Sequence, residues 1–156
     1  DSSKTAADVI ASIKYDENEI INVITIKNFY GSGYAKYLLL RLEVLASEND
    51  VYKEIFAKSI EHIFPQKPKV GSNWTNDPNF AEHTNVVNTI GNLILLSKSK
   101  NSSASNHEFD TKKTKYLKDR VSDYPRSVQI LAEPDWTIDK IKASTTKLVT
   151  DILKDP

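Results

Sequence analysis

The chain has no cysteine and no methionine, only four glycines in 156 residues, and no excess charge of either sign, with 21 Lys and Arg against 21 Asp and Glu. The missing cysteine excludes disulfides, thiolate nucleophiles and Cys-ligated zinc together, and it fits a cytoplasmic protein. Zero net charge removes any whole-chain electrostatic case for nucleic-acid binding. No apolar run approaches the roughly 20 residues that span a bilayer, so no membrane contact is expected. The opening Asp1-Ser2-Ser3-Lys4 has no initiator Met and none of the basic-head, apolar-core layout of a signal peptide, and it reads as a piece cut from a longer protein. Without a secretion signal, Asn73-Trp74-Thr75 and Asn101-Ser102-Ser103 match the glycosylation pattern by chance.

What is present is ordinary in bulk: 39% hydrophobic and 27% charged residues, in a length that suits one compact domain with a real core. Charge is uneven along the chain. Between Lys98 and Arg120, seven basic residues (Lys98, Lys100, Lys112, Lys113, Lys115, Lys118, Arg120) meet three acids (Glu108, Asp110, Asp119). Such a strip pairs with phosphates or forms a solvated helix face, and alone it favours the second.

Local patterns divide the chain. Residues 4–13 read as a short helix. Over Asp16 to Phe29 the β-branched run lets strand and buried helix compete, with helix preferred. Phe29 to Gly33 is a turn. Tyr34 to Ala46 is a helix with Tyr34, Leu38, Leu42 and Leu45 on one face, ended by the polar Ser47-Glu48-Asn49-Asp50. Tyr52 to Ala57 is ambiguous. Ser59 to Phe64 reads as a strand stopped by Pro65, and Gln66 to Pro78 as a loop. Asn79 to Thr89 is expected as a helix ending near Gly91. Asn92 to Leu96 follows as a short apolar strand, Ser97 to Asn106 as a loop, and His107 to Asp119 as a helix. Thr137 is a plausible N-cap for a last helix with Ile138, Ile141, Leu148 and Ile152 along one side.

In order, the middle runs strand with Glu-His, loop with inserted helix, strand beginning with Asn, Asn-rich loop, helix. Glu61-His62-Ile63-Phe64-Pro65-Gln66, then Asn92 in Gly91-Asn92-Leu93-Ile94-Leu95-Leu96, then Asn101 nine residues later, resemble the motifs of HNH (His-Me finger) nucleases. Tyr37-Leu38-Leu39-Leu40-Arg41-Leu42-Glu43 upstream, Phe109-x-x-Lys112-Lys113-x-x-Tyr116 downstream and Trp136 narrow the match. Together they look like the C-terminal nuclease domain of GmrSD-type modification-dependent restriction endonucleases, over roughly Asn28 to Leu153.

That resemblance implies an α+β fold, a mostly helical domain around a ββα-metal core at about residues 59–119. Residues 1–30 would form an N-terminal helical segment leading from a nucleotide-hydrolysing, ParB-like domain, and residues 31–156 the nuclease domain. The implied activity is metal-dependent nicking of DNA in a restriction or phage-defence system. A non-catalytic DNA-binding module and an RNA-cleaving nuclease of the same fold are the alternatives.

The chemistry suits these residues. A histidine with a pKa near 6.5 deprotonates water near neutral pH, which makes His62 the expected general base. A hard cation, Mg²⁺ or Mn²⁺, takes oxygen ligands, here the Glu61 carboxylate and the Asn101 amide, with Asn106 as the alternative to Asn101. Asn92 is expected to hold the loop carrying His62 through side-chain hydrogen bonds to backbone. Lys98, Lys100, Lys112 and Lys113 are the expected phosphate contacts. Glu61 and His62, adjacent on a strand, would point to opposite faces, so a bulge or the twist of the hairpin must reconcile them. Many HNH enzymes have Asp at the position of Glu61 and His at that of Asn101, and the zinc-stapled variant does not apply. His83 and His107 read as structural, and the aromatic residues as core.

Overall fold

The structure is a computed structural model that describes residues 5, 16–47, 57, 59–97, 106–118 and 124–154. The helix expected over 4–13 and most of the ambiguous stretch 52–57 lie outside these residues.

The competition over Asp16 to Phe29 resolves as helix α1, Glu17–Ile24. Asp16 decides it locally: its carboxylate accepts the Asn18 N–H at 2.8 Å, and Glu17 and Glu19 complement the positive end of the helix. It is a surface helix, not a buried one, with Ile24 its one buried residue and Val23 exposed.

Helix α2, Ala35–Leu45, buries Ala35, Leu39, Leu42 and Glu43. The expected face was Tyr34, Leu38, Leu42 and Leu45, but Leu45 is exposed and Leu39 is fully enclosed. A charged residue accounts for the rotation. Glu43 turns inward because three donors meet its carboxylate there: the Ser127 hydroxyl and the N–H groups of Arg126 and Ser127.

Strands β1, Ser59–His62, and β2, Leu93–Leu96, form a two-stranded antiparallel sheet with Glu61 opposite Ile94 and His62 opposite Leu93. Each strand face meets its own core cluster. Ile94 and Leu96 join Phe64, Trp74, Phe109, Tyr116 and Trp136. Leu93 and Leu95 join Phe29, Leu39, Leu42 and Leu148 on the other side. Period-two alternation thus separates the two clusters. Ile24 and Phe29 of the N-terminal segment lie in the second cluster.

The helix expected over Asn79 to Thr89 is broken into a 3₁₀ turn at Phe80–Glu82, helix α3 at His83–Val86 and a second 3₁₀ turn at Ile90–Asn92. Polar side chains here compete for the backbone. The Thr89 hydroxyl donates to the Val86 carbonyl at 2.7 Å, and the Asn92 amide donates to the Val87 carbonyl at 2.8 Å.

Helix α4, Phe109–Lys113, runs on as a π-helical turn over Thr114–Lys118. Helix α5, Pro125–Leu131, was not foreseen, although Pro125 at its first turn is a recognised opening signal. Helix α6, Ile138–Lys154, buries Ile138, Ile141, Leu148 and Ile152 and so touches both clusters. The Thr137 hydroxyl caps it by accepting the Lys140 N–H at 3.2 Å, and Asp77 accepts the Ile138 N–H at 2.9 Å. The helix lies directly on Gly91, where a Cβ would run into the Thr145 hydroxyl and the Ile141 carbonyl.

Strand β2 is enclosed along its whole length, so its outward backbone groups need protein partners. Helix α5 supplies them. The Arg126 guanidinium donates to the Leu93 carbonyl at 2.9 Å and to the Ile90 carbonyl at 3.3 Å, and the Ser127 hydroxyl accepts the Leu95 N–H at 3.2 Å. Glu43 completes this network by accepting from the Ser127 hydroxyl at 2.6 Å and the Arg126 N–H at 2.8 Å. Burial pushes the Glu43 carboxyl above its ordinary value, against the hydrogen bond from Ser127 and the charge of Arg126. Burial likewise pushes the Arg126 guanidinium down to about 10, opposed by the charge of Glu43.

Candidate active site

His62 closes strand β1 and is 4% exposed. Its Nε2 lies 2.9 Å from Asn88 Oδ1, and Gln66 Nε2 donates to the same oxygen at 2.8 Å. The Tyr30 ring packs edge-on against the imidazole, with centroids 4.4 Å apart. The chain leaving His62 is braced from three directions. Ile63 donates its N–H to the Asn92 carbonyl at 3.0 Å. The Asn92 side chain then imitates a neighbouring strand, accepting the Phe64 N–H at 2.8 Å and donating to the Phe64 carbonyl at 2.9 Å. His83 Nε2 donates to the Pro65 carbonyl at 2.8 Å. Trp136 Nε1 adds a further bond to Asn92 Oδ1 at 3.1 Å. Asn92 is wholly enclosed, and its amide is committed to the turn that follows His62.

Glu61 points the other way. The ladder is regular from Ser59 to His62, so no bulge brings the two side chains to one face. The Glu61 carboxylate lies beneath α4, where Lys112 Nζ donates to Oε1 at 3.0 Å and the Tyr116 hydroxyl donates to the same oxygen at 2.9 Å. Lys112 Nζ also donates to the His62 carbonyl at 2.6 Å. The Glu61 and Lys112 side chains are both 0% exposed. Burial and the adjacent carboxylate push the Tyr116 phenol far above its ordinary value, so it stays protonated and donates.

This arrangement changes the reading of Lys112. A phosphate contact needs a solvent-facing ammonium, and the Lys112 side chain runs inward to neutralise Glu61 instead. Its helix offers no other place for it, because Phe109 and Tyr116 flank it on the same buried face. Lys113 is half-buried, donates to the Glu133 carbonyl at 3.0 Å, pairs with Asp110 at 3.3 Å and lies over the Phe109 ring. Lys98, Lys100 and Asn101 lie outside the described residues, so the basic strip has no described course there. Asn106, the other candidate ligand, is exposed. His107 accepts from Lys115 Nζ at 2.9 Å.

A hard divalent cation requires several oxygens around one point. Among the described residues no group of three or more His, Asp or Glu converges in this way. The one expected carboxylate already holds an ammonium and a hydroxyl on one oxygen. The described side chains therefore do not fit a divalent cation at Glu61 while Lys112 stays where it is, and no chemical step is derived through a metal.

Sequence reasoning missed Asn88, Tyr30 and Gln66 as neighbours of His62. Gln66 belongs to the quoted motif, yet the motif does not say what its amide does. Asn88 and Tyr30 carry no local signal, since the fold brings them from 26 positions downstream and 32 upstream of His62.

The class is now defined: an α+β domain whose small antiparallel sheet ends on a histidine, with a buried asparagine bracing the turn beyond it. The chain belongs to the family described as GmrSD restriction endonucleases, C-terminal domain, which it matches over residues 14–151. It is thus the nuclease-type domain of a restriction endonuclease, a larger multidomain system acting on DNA. No curated protein and no solved structure matches the chain. No helix among the described residues is long and apolar enough to cross a membrane.

Proposed function

We propose that the domain is a DNA endonuclease of the HNH (His-Me finger) type, cutting modified or foreign DNA for a restriction system, with His62 as its general base. The observation that carries this reading is the treatment of His62. One ring nitrogen is held by Asn88, and the turn beyond is clamped by Asn92 and His83, in a family of restriction endonucleases.

In the proposed reaction the imidazole takes a proton from water. The resulting hydroxide attacks phosphorus, and the bond from phosphorus to the 3′ oxygen breaks. The departing oxygen takes a proton from water, the imidazolium returns its own to solvent, and 5′-phosphate and 3′-hydroxyl ends remain. General-base assistance of this kind contributes about 10²–10⁴-fold in rate. One site cuts one strand, so the isolated domain nicks. A ParB-like, nucleotide-hydrolysing domain N-terminal to this one is the expected partner and the expected sensor of modification. Dependence on Mg²⁺ or Mn²⁺, held by Glu61 and Asn101, belongs to the same proposal. It requires Lys112 to release Glu61 and the Glu61 carboxylate to come round to the His62 side of the strand.

The test is incubation of supercoiled plasmid with the protein and Mg²⁺ or Mn²⁺, beside an EDTA control and the His62→Ala variant. Open-circular product from the parent alone is expected. Equal cutting by both proteins removes His62 from the reaction. DNA bound but uncut by either identifies a binding module, and cleavage of RNA alone identifies an RNA-cleaving nuclease.

A further inference from the structure

We infer that Asn88 is a positioning residue for His62, fixing the imidazole in one orientation with its proton on Nε2. The inference rests on the reading of His62 as the general base and adds the residue that prepares it. A neutral imidazole carries one donor and one acceptor nitrogen, and the partner of one decides the role of the other. An amide oxygen only accepts. With Asn88 Oδ1 at 2.9 Å, Nε2 is the donor.

Two further contacts keep that oxygen in place. Gln66 Nε2 donates to it at 2.8 Å, so two donors converge on one atom and orient the Asn88 amide. The Asn88 backbone carbonyl accepts the Tyr30 N–H at 3.0 Å, and the Tyr30 ring is the one packed against His62. One residue therefore holds the imidazole by its edge through the side chain, and holds the ring lying against it through the backbone. The turn that carries Asn88 is itself pinned, because the preceding carbonyl, that of Val87, accepts from Asn92 Nδ2 at 2.8 Å. Asn92 thus fixes both the chain after His62 and the residue beside Asn88.

A base held in one tautomer and one ring orientation reacts without first having to reorganise, and losing an orienting partner of this sort typically costs about 10–100-fold in activity. In a hydrolase triad, a wrongly held histidine tautomer costs still more.

The experiment combines ¹⁵N-histidine NMR with plasmid nicking, on the parent, Asn88→Ala, Asn88→Asp and Gln66→Ala. The parent should show the His62 proton on Nε2 as a slowly exchanging N–H. Asn88→Ala should lose that signal and nick about 10–100-fold more slowly. Asn88→Asp keeps an acceptor, and should restore the signal and recover cleavage relative to Asn88→Ala. Gln66→Ala should weaken the signal less than Asn88→Ala does. A parent with its His62 proton on Nδ1 overturns the inference whether or not any variant folds. So does an Asn88→Ala protein with signal and rate both unchanged. A parent that shows the Nε2 proton but never cuts supports the hydrogen bond and counts against the nuclease reading.

Discussion

The Lys112 ammonium sits 3.0 Å from the Glu61 carboxylate, with neither side chain reached by solvent. Buried pairs are asymmetric in their effects: removing one partner strands a charge, whereas removing both does not. Lys112→Met should therefore destabilise the domain by about 3–5 kcal/mol. The double variant Lys112→Met, Glu61→Gln should regain a large part of that loss. Urea unfolding of parent, single and double variants gives the comparison, and additive losses would show that the two side chains do not act as a pair.

Asn92 makes four hydrogen bonds through its amide, to Phe64 twice, to Val87 and to Trp136. Asn92→Ala leaves these enclosed groups without partners, at about 1–3 kcal/mol each before any relaxation. The expected outcome is a domain that is largely unfolded or melts far below the parent. A near-normal melting temperature for Asn92→Ala would mean the turn after His62 is held by other means.

Gly91 is required for closeness, not for an unusual backbone angle. Its missing Cβ is what lets α6 lie on the 3₁₀ turn before β2. Gly91→Ala should cost about 1–3 kcal/mol, as overpacking does. Thermal denaturation measures it, and the additional change Thr145→Ala, which removes the hydroxyl, should not fully relieve it, because the Ile141 carbonyl also stands in the way.

Glu43 gives the domain a defined pH dependence. Its carboxyl is raised in the folded protein by burial. Between the unfolded and folded values the native state therefore holds more protons than the unfolded chain, and stability falls as pH rises through that window. Its contribution is fully present below the unfolded value of about 4.3. Glu43→Gln removes this term, so the stability difference between parent and variant should move in favour of the variant as pH rises from about 4. Melting curves across that range test the sign, and a parent that gains on Glu43→Gln with rising pH would contradict it.

Much of this fold was legible in the sequence, for physical reasons that differ by element. Helix α6 follows from its spacing of Ile138, Ile141, Leu148 and Ile152 and from the Thr137 cap. Both strands follow from short apolar runs ended by Pro65 or begun at Asn92. Helix α5 escaped because seven residues give too little period to read, and its main task, bonding the outer edge of β2 through Arg126 and Ser127, exists only in three dimensions. The same limit governs the site. The Glu61-His62 run and Asn92 stand out as a motif, and strand alternation points the two side chains apart; the bulge or twist expected to reconcile them does not occur in the ladder. That Glu61 faces a lysine from α4, and His62 an asparagine from the turn after α3, depends on long-range packing. No local pattern encodes that packing.

The claim at the centre of this account is that the His62 imidazole removes a proton during DNA cleavage, and chemical rescue tests it most directly. His62→Gly, shown to be folded, is assayed for plasmid nicking with and without added imidazole. The account predicts a loss of about 10²–10⁴-fold in rate, partly restored in proportion to the imidazole concentration. A His62→Gly protein that nicks at the parent's rate without imidazole would contradict it.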